Sequence, residues 1–427
     1  MTKPAKAVGR GKRTSYVDRA WYGIWTAVAM GPVKVPDIDT LRAEMVRFMG
    51  ENPTHPLSCT LSANRRRWLP VAPSDREKHV AAAIVGGTAI DGRPDDPFLS
   101  VVANRTMGPI TTPYKVVLGQ ESILVYFAHI GGDGTIFSPF SCGLLGDIDT
   151  LKPLRPDAGL ATIAKLFWQQ LRSHGSDWKR ARSANAAVEP VPESNSKSAA
   201  EVPDDVTATG VQIDKATFKS FLAWRKATCP DISVTALMTT AAYLAMTAEG
   251  LPIDPSGFNT LLDLRRYLPK EQVLRPANLA IGTFIKADVS DPVDVAAGLT
   301  QTVESARAVP EALAGTIFAG VLGREPGAVG ATERVTMTFN SMPRNPGTET
   351  IPWLDTNDIT YTGMTYPGRA DAISVFALGI EGRMEFSASF NPHVLDRATV
   401  RQALNRLNDI PALLESCFTA ANEGART

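Results

Sequence analysis

A polar stretch near the middle of the chain constrains the fold more than any other sequence feature. Residues 183–208 read SANAAVEPVPESNSKSAAEVPDDVTA, contain no aromatic residue and are rich in Ser, Ala, Pro and Glu. Such a composition buries too little apolar surface to build a core, so the segment predicts a linker or crossover. It divides the 427 residues nearly in half. We therefore expect two lobes of about 200 residues each.

The remaining boundaries follow from this division. The chain begins with the basic segment MTKPAKAVGRGKR, so residues 1–13 are expected to form a disordered tail. An N-terminal lobe is then expected over residues 14–182 and a C-terminal lobe over residues 209–427. Helix-like and strand-like patterns mix in both halves, which predicts an α/β or α+β fold class.

Composition excludes several classes of protein. Lys+Arg and Asp+Glu are both 44, so the net charge is zero, and nucleic acid is not an expected partner. The four cysteines are widely spaced without a CxxC pair, which predicts neither a metal site nor a disulfide framework and fits a reducing cytoplasm. No apolar run approaches the roughly 20 residues that cross a bilayer, so we expect a cytoplasmic protein without a transmembrane segment.

Periodic patterns predict individual helices and strands. Residues 37–50 have helical apolar spacing, with Asp39 or Thr40 as the expected cap. Residues 115–127 predict two strands around a Gly-Gln-Glu turn. Further helices are expected over 157–173, 214–228, 233–249 and 396–417, and further strands over 257–264, 334–340, 359–366, 372–378 and 384–390.

One segment carries a candidate for chemistry. In ILVYFAHIGGDG, residues 123–134, an apolar strand ends in His129, and Gly131 and Gly132 precede Asp133 and Gly134. The glycines allow a tight turn, and junctions between a strand and a turn often hold functional side chains. An imidazole has an ordinary pKa of about 6.5, so it is largely neutral at pH 7 and suits a general base. His129 is therefore the expected base.

The chemistry fits acyl transfer. A general base accelerates attack of an alcohol or amine on an activated carbonyl by roughly 10²–10⁴. A thioester is already a good acyl donor, so no covalent nucleophile is required. Asn340 and Ser341, or the backbone N–H of Gly132 or Asp133, are candidates to contact the oxyanion or the acceptor, although Asn-Ser at a strand end is also typical of a turn.

Other residues favour plainer interpretations. Ser138 and Ser141 invite a hydrolase interpretation, but no G-x-S-x-G segment accompanies them. The basic run at residues 65–67 fits either a solvated face or a contact to a CoA phosphate or an acidic carrier protein. His55, in a Pro-flanked loop, is expected to be solvated, and no histidine has metal-ligand spacing.

The segment FAHIGGDG resembles the HHxxxDG signature of the CoA-dependent acyltransferase superfamily. This superfamily includes chloramphenicol acetyltransferase, condensation domains of nonribosomal peptide synthetases, polyketide-associated acyltransferases and wax ester synthases. Other segments are similar to that superfamily in the same order along the chain. They are SYVDRAWYG at 15–23, LRAEMVRFMGENP at 41–53, LLDLRRYLP at 261–269, PANLAIGTF at 276–284, VTMTFNSMPR at 335–344 and GRMEFSASFNPHVLDRATVRQALNRL at 382–407.

The resemblance implies two chloramphenicol-acetyltransferase-like lobes with a tunnel between them, in a monomer. It makes His129 the general base and Asp133 a structural residue that pairs with a cation, for which Arg265 is favoured over Arg266. Gly134 is expected to allow close backbone packing. The implied co-substrate is an acyl-CoA or acyl-carrier-protein thioester, without a bound cofactor, and the acceptor is a small molecule or a lipid.

The sequence departs from the signature at its first histidine, which is Ala128 here. In the superfamily the second histidine carries the chemistry, so we expect an acyltransferase of lipid or secondary-metabolite biosynthesis acting on a hydroxyl or amine. The alternative is a catalytically silent condensation-like domain that binds an acyl chain or a carrier protein. A hydrolase that uses the same base on water is a third hypothesis.

Overall fold

A computed structural model of the chain describes residues 11–87, 111–152, 160–186, 205–270, 278–322, 334–343, 345 and 347–424. Within these ranges, helices pack on three β-sheets, and the five-stranded sheet takes strands from both halves of the chain. The predicted mixed α/β class is therefore confirmed.

A five-stranded sheet carries the strand that ends at His129. Its strands, in spatial order, are β12 (Thr360–Thr365), β2 (Trp25–Gly31), β7 (Ile123–Ala128), β6 (Tyr114–Leu118) and β5 (Ile84–Gly86). Strands β6 and β7 pair antiparallel around the predicted turn. All six residues of β7 are buried, as expected for a continuous apolar strand inside a sheet.

A six-stranded sheet forms the frame of the second lobe. Its strands, in spatial order, are β10 (Ala280–Lys286), β9 (Gly257–Asp263), β11 (Thr336–Met342), β13 (Ala372–Ile380), β14 (Arg383–Phe390) and β8 (Thr207–Ile213). Strand β11 pairs parallel with β9 and β13, and the other neighbours pair antiparallel. The strands expected from the later sequence patterns are thus present, with ends shifted by up to two residues.

A third sheet changes the expectation for the N-terminus. It orders β1 (Lys12–Arg13), β4 (Arg67–Pro70) and β3 (Cys59–Leu61) side by side. The predicted disordered tail over residues 1–13 is wrong for residues 11–13, because backbone pairing to β4 holds a segment that its basic composition alone made look unstructured. Residues 1–10 lie outside the described residues.

A helix occurs at each predicted span, the one expected over 157–173 extends to residue 186, and further helices lie outside the predicted spans. The helices are α1 (Tyr16–Ala20), α2 (Ile38–Glu51), α3 (Arg76–Ala83), α4 (Gly134–Gly143), α5 (Leu160–Ala186), α6 (Lys215–Thr228), α7 (Val234–Ala248), α8 (Pro292–Glu304), α9 (Ala308–Leu322), α10 (Arg397–Arg406) and α11 (Ile410–Gly424). The cap of α2 is Asp37 rather than Asp39 or Thr40, since its carboxylate accepts the Thr40 N–H at 2.9 Å. The single helix expected over 396–417 is two helices, with Pro411, which has no N–H to donate, at the start of α11.

The two lobes are interlocked in a way that sequence order does not show. Strand β12 belongs to the second half of the chain but pairs with β2 of the five-stranded sheet. Helix α5, from the first half, packs on α9, and its Ile163 and Leu166 share an apolar cluster with Leu262, Leu279 and Val309. The expected lobes 14–182 and 209–427 therefore exchange an element in each direction.

Both ends of the expected linker over 183–208 belong to regular secondary structure. Helix α5 continues through Ala186, and β8 begins at Thr207. Residues 187–204 lie outside the described residues. No helix in the described part of the chain is both long and apolar enough to cross a membrane.

Polar side chains join the two large sheets where β12 crosses β14. Thr362 Oγ1 donates to the buried Glu385 carboxylate at 2.7 Å, and Ser389 Oγ donates to Thr365 O at 2.5 Å. Ser387 Oγ also donates to Gly363 O. These bonds fix the crossing strand against the second sheet, beside the cavity described below.

Candidate active site

His129 stands at the end of β7, at the start of a short 3₁₀ turn, His129–Gly131. Its backbone N–H donates to Ile24 O at 2.9 Å. Its backbone carbonyl accepts from Asn278 Nδ2 at 2.8 Å and from Gly132 N–H at 3.1 Å. Residues from both halves of the chain therefore hold the backbone of His129. The residue as a whole is only 6% exposed.

The two glycines of the Gly-Asp-Gly segment have different roles. Gly132 has φ of 150°, and a Cβ there would lie 2.3 Å from Ile136 Cδ1, so only glycine fits. A Cβ on Gly134 would meet only Met342 Cε, at 3.8 Å. The expected close backbone packing at Gly134 is wrong, because the structure leaves open space there, and that space belongs to a cavity.

Asp133 and Arg265 form a buried ion pair between the two halves of the chain. Arg265 Nη1 and Nη2 donate to Asp133 Oδ2 at 2.9 Å and to Oδ1 at 3.2 Å. The two residues are 2% and 3% exposed. Arg266, the alternative partner, is exposed. The two-pronged geometry is the one in which arginine and a carboxylate interact most strongly.

Backbone groups complete the coordination of Asp133. Its Oδ1 caps α4 by accepting the Thr135 N–H at 3.1 Å, and its Oδ2 accepts the N–H groups of Leu279 and Ala280 at 2.8 and 3.2 Å. A carboxylate with this many donors is satisfied and fixed. Asp133 thus ties the loop after His129 to the start of β10.

Burial controls the proton affinity of the imidazole. Desolvation lowers the pKa of His129 to about 4, and the Asp133 carboxylate opposes that shift. The ring is therefore neutral at physiological pH, the state in which a nitrogen lone pair can accept a proton. Its Nδ1 is buried and has no side-chain hydrogen-bond partner among the described residues, and a contact of the ring to the backbone of His129 itself raises the pKa slightly.

An aromatic side chain that the sequence did not single out lies on the imidazole. The Trp21 indole stacks on the His129 ring with centroids 4.0 Å apart and planes 14° apart. Next to it, the Arg65 guanidinium lies 3.9 Å from the centroid of the Tyr22 ring. The segment after α1 therefore forms one wall around the imidazole.

A cavity opens beside His129 where the two large sheets meet. It opens to solvent, and its empty space counted together with the adjoining open solvent is about 600 Å³. The apolar residues in its wall are Val28, Phe127, Phe137, Leu261, Met342, Phe376 and Leu378. Strands from both sheets contribute, so the cavity lies between the lobes as the resemblance implies. A tunnel with an entrance on each face stays a prediction.

Three buried polar side chains interrupt the apolar wall. Ser138 Oγ donates to Asn345 Oδ1 at 3.0 Å, and the Tyr361 hydroxyl makes hydrogen bonds to both side chains. They come from α4, the loop after β11 and β12, and each is less than 8% exposed. Sequence reasoning missed this cluster, because residues from three distant segments carry no common local pattern.

Two of the candidate oxyanion contacts, Asn340 and Ser341, lie outside the cavity wall, whereas Gly132 and Asp133 belong to it. Asn340 is buried on β11, and its Oδ1 accepts the Leu261 N–H at 3.0 Å, so the side chain closes the junction between two strands. Neither Asn340 nor Ser341 belongs to the cavity wall. Ser141, from the hydrolase interpretation, donates to Phe137 O within α4 and is not a poised nucleophile.

The surroundings of His55 differ from the expectation. His55 is fully buried rather than solvated, because its ring packs edge-on against Phe48 and its Nδ1 accepts the Leu57 N–H. Burial raises the pKa of the Cys142 thiol to about 11, which keeps it protonated. In the described ranges, no cluster of three or more His, Cys, Asp or Glu side chains is arranged to hold a metal ion.

Solved structures share this fold. The TRI3 trichothecene 15-O-acetyltransferase from Fusarium sporotrichioides superposes with a TM-score of 0.58 and 11% identity, covering 97% of this chain and 100% of that chain. Polyketide synthase associated protein 5 from Mycobacterium tuberculosis gives 0.55 and 15%, covering 94% and 98%. The first condensation domain of the calcium-dependent antibiotic synthetase gives 0.58 and 14%, covering 96% and 97%.

The likeness is found over nearly the whole chain in three dimensions, whereas sequence comparison finds no match. No family model matches the sequence, and no curated protein matches it. At identities of 11–15%, the superpositions show a common fold over nearly the whole length of each chain. The resemblance drawn from the sequence is thereby confirmed for the fold, that of an O-acetyltransferase and of condensation domains.

Proposed function

We propose that this chain, which shares its fold with an O-acetyltransferase and a condensation domain, is an acyltransferase. It moves an acyl group from a CoA or carrier-protein thioester to a hydroxyl or amine acceptor. One observation carries the proposal: a buried, neutral imidazole lies in the wall of a cavity between the two sheets. Fold alone does not establish an activity, so the proposal depends on this site.

In the proposed reaction His129 acts twice. Because Nδ1 is buried, Nε2 is the nitrogen available to the cavity. It takes the proton from the acceptor O–H or N–H as that oxygen or nitrogen attacks the thioester carbonyl. The tetrahedral intermediate then expels the thiolate, the C–S bond breaks, and the imidazolium returns its proton to the sulfur. No covalent bond to the protein forms.

The charges around the imidazole suit this sequence of steps. A base with a lowered pKa binds a proton weakly, but it stays unprotonated near neutral pH and is therefore available to accept the proton of the acceptor. The imidazolium that forms during attack lies near the Asp133 carboxylate, which favours the positive charge. Arg265 holds that carboxylate in place, so the pair supports the site without touching the reacting atoms.

A donor for the oxyanion is still required. Of the two backbone groups considered, the Gly132 N–H already donates to His129 O. The Asp133 N–H, at the N-terminus of α4, is therefore the remaining candidate, and the helix dipole there favours negative charge. The largely apolar cavity fits the acyl chain or an apolar small-molecule or lipid acceptor.

The test is release of free thiol from a panel of acyl-CoA substrates, with and without an alcohol or amine acceptor. His129→Ala should fold normally and lose roughly 10² or more in kcat. His393→Ala, at an exposed histidine paired with Asp205, is the matched control and should keep full activity.

The outcomes separate the alternatives. Thiol release that requires the acceptor and yields an acylated product supports transfer. Thiol release without acceptor points to a hydrolase, whereas binding of an acyl-CoA without any release points to a silent domain. Full activity in His129→Ala would falsify the assignment of the base.

A further inference from the structure

The imidazole of His129 has an unusual set of contacts for a general base. Such a histidine is commonly oriented by a hydrogen bond from its second ring nitrogen. Here Nδ1 is buried with no side-chain partner among the described residues, the only backbone contact of the ring is to His129 itself, and Ala128 offers no polar side chain beside it. The indole of Trp21 instead covers one face of the ring at 4.0 Å and nearly parallel.

Hydrogen bonds hold the backbone that carries the indole. Trp21 is the C-terminal cap of α1, where its backbone N–H donates to the backbone carbonyl of Asp18 at 3.1 Å. The start of the same helix is closed by reciprocal bonds between Ser15 and Asp18. Trp21 O then accepts the Ile24 N–H at 3.2 Å, and Ile24 O accepts the His129 N–H. The segment that carries the indole is thus bonded to the backbone of the residue on which it stacks.

Resting on the proposed function, we propose that Trp21 is the positioning residue of the general base. Its indole face fixes the plane of the imidazole and stabilises the imidazolium that forms when the acceptor gives up its proton. A flat π surface attracts a cation more than a neutral ring, so the contact strengthens as the reaction proceeds. An interaction that strengthens in the transition state acts on kcat more than on KM.

The stack is tested first without any substrate, by NMR of the histidine ring protons in the full chain. In the wild type, the His129 ring protons should be shifted upfield by the indole, while those of His393 serve as an unstacked reference. Trp21→Leu should abolish the shift and Trp21→Phe should retain part of it. Trp168→Leu, at a tryptophan that is 64% exposed, is the matched control and should leave the spectrum of His129 unchanged.

Kinetics then test the consequence with an acyl-CoA that the wild type consumes. Trp21→Leu should lower kcat about tenfold with KM within about twofold, and Trp21→Phe should restore most of the loss. A merely structural role would change KM and kcat together and would not be rescued by Phe.

Two results overturn the proposal: ring protons of His129 that are unshifted in the wild type, or a Trp21→Leu variant with unchanged kcat. A wild type that transfers no acyl group contradicts the proposed function only. In that case the NMR comparison still decides whether Trp21 holds the imidazole.

Discussion

At the scale of the residue, the stability of the fold should be sensitive to loss of the buried ion pair between Asp133 and Arg265. Arg265→Ala leaves a carboxylate that is 2% exposed without its cation, and uncompensated buried charges of this kind typically cost about 3–5 kcal/mol. We therefore expect Arg265→Ala to lower the free energy of unfolding by this amount, measured by urea denaturation, and to reduce the soluble yield. The neighbouring Arg266→Ala should change it by less than about 1 kcal/mol, since Arg266 is exposed. Equal stability of the two variants contradicts the structural role of the pair.

Single residues also show what a local pattern can predict. His129, Asp133 and the choice of Arg265 follow from one short segment and one resemblance, because strand, turn and cap are local features. Asn340 was expected near the reacting atoms, but its amide closes a junction with β9, a contact that depends on sheet order. The same holds for Trp21, whose partner is more than a hundred positions away in the sequence.

At the scale of the element, α1 carries a buried carboxyl group with an altered proton affinity. Burial raises the pKa of Asp18 from 3.8 to about 6, although bonds from Ser15 oppose the shift. The folded chain therefore binds this proton more tightly than the unfolded chain does. The stabilisation is fully present below pH 3.8 and is lost as pH rises through about 6, amounting to about 3 kcal/mol.

Asp18→Asn tests this linkage. The free energy of unfolding of Asp18→Asn minus that of the wild type should rise by about 2 kcal/mol between pH 4 and pH 6, by about 3 kcal/mol over the whole transition, and level off above about pH 7. Taking the difference removes the contribution of His129, which both proteins share. Because its pKa is lowered, His129 makes the free energy of unfolding rise with pH between about pH 4 and its ordinary pKa. Asp39→Asn, at an exposed carboxyl group of α2, is the control. A difference that is flat with pH contradicts the burial of a titrating Asp18.

Strand β12 shows that a sequence pattern predicts a strand but does not predict which strand it pairs with. Its residues were expected to form a strand, and they do, but a strand pattern indicates burial and not the neighbouring strand. Pairing with β2, some 330 positions earlier in the sequence, is decided by tertiary packing and by the serine side chains of β14. The cavity and its Tyr361 depend on that pairing, so neither could be read from the sequence.

At the scale of the whole molecule, the interlocking of the halves predicts how the chain responds to a cut. A protease site inserted within residues 187–204 would divide the chain into two fragments. The N-terminal fragment lacks β12, and the C-terminal fragment lacks the packing of α5 on α9. Either fragment alone would expose a strand edge or an apolar face, which favours aggregation.

After cleavage of the folded protein, however, the contacts that join the halves are all non-covalent and intact. We expect the nicked protein to elute as one particle of unchanged size on gel filtration and to keep its activity. The two fragments expressed separately should be largely insoluble, and co-expression should restore the particle. Cleavage into two separately soluble halves would contradict the interlocking, because lobes that part freely in water cannot share a sheet and a core.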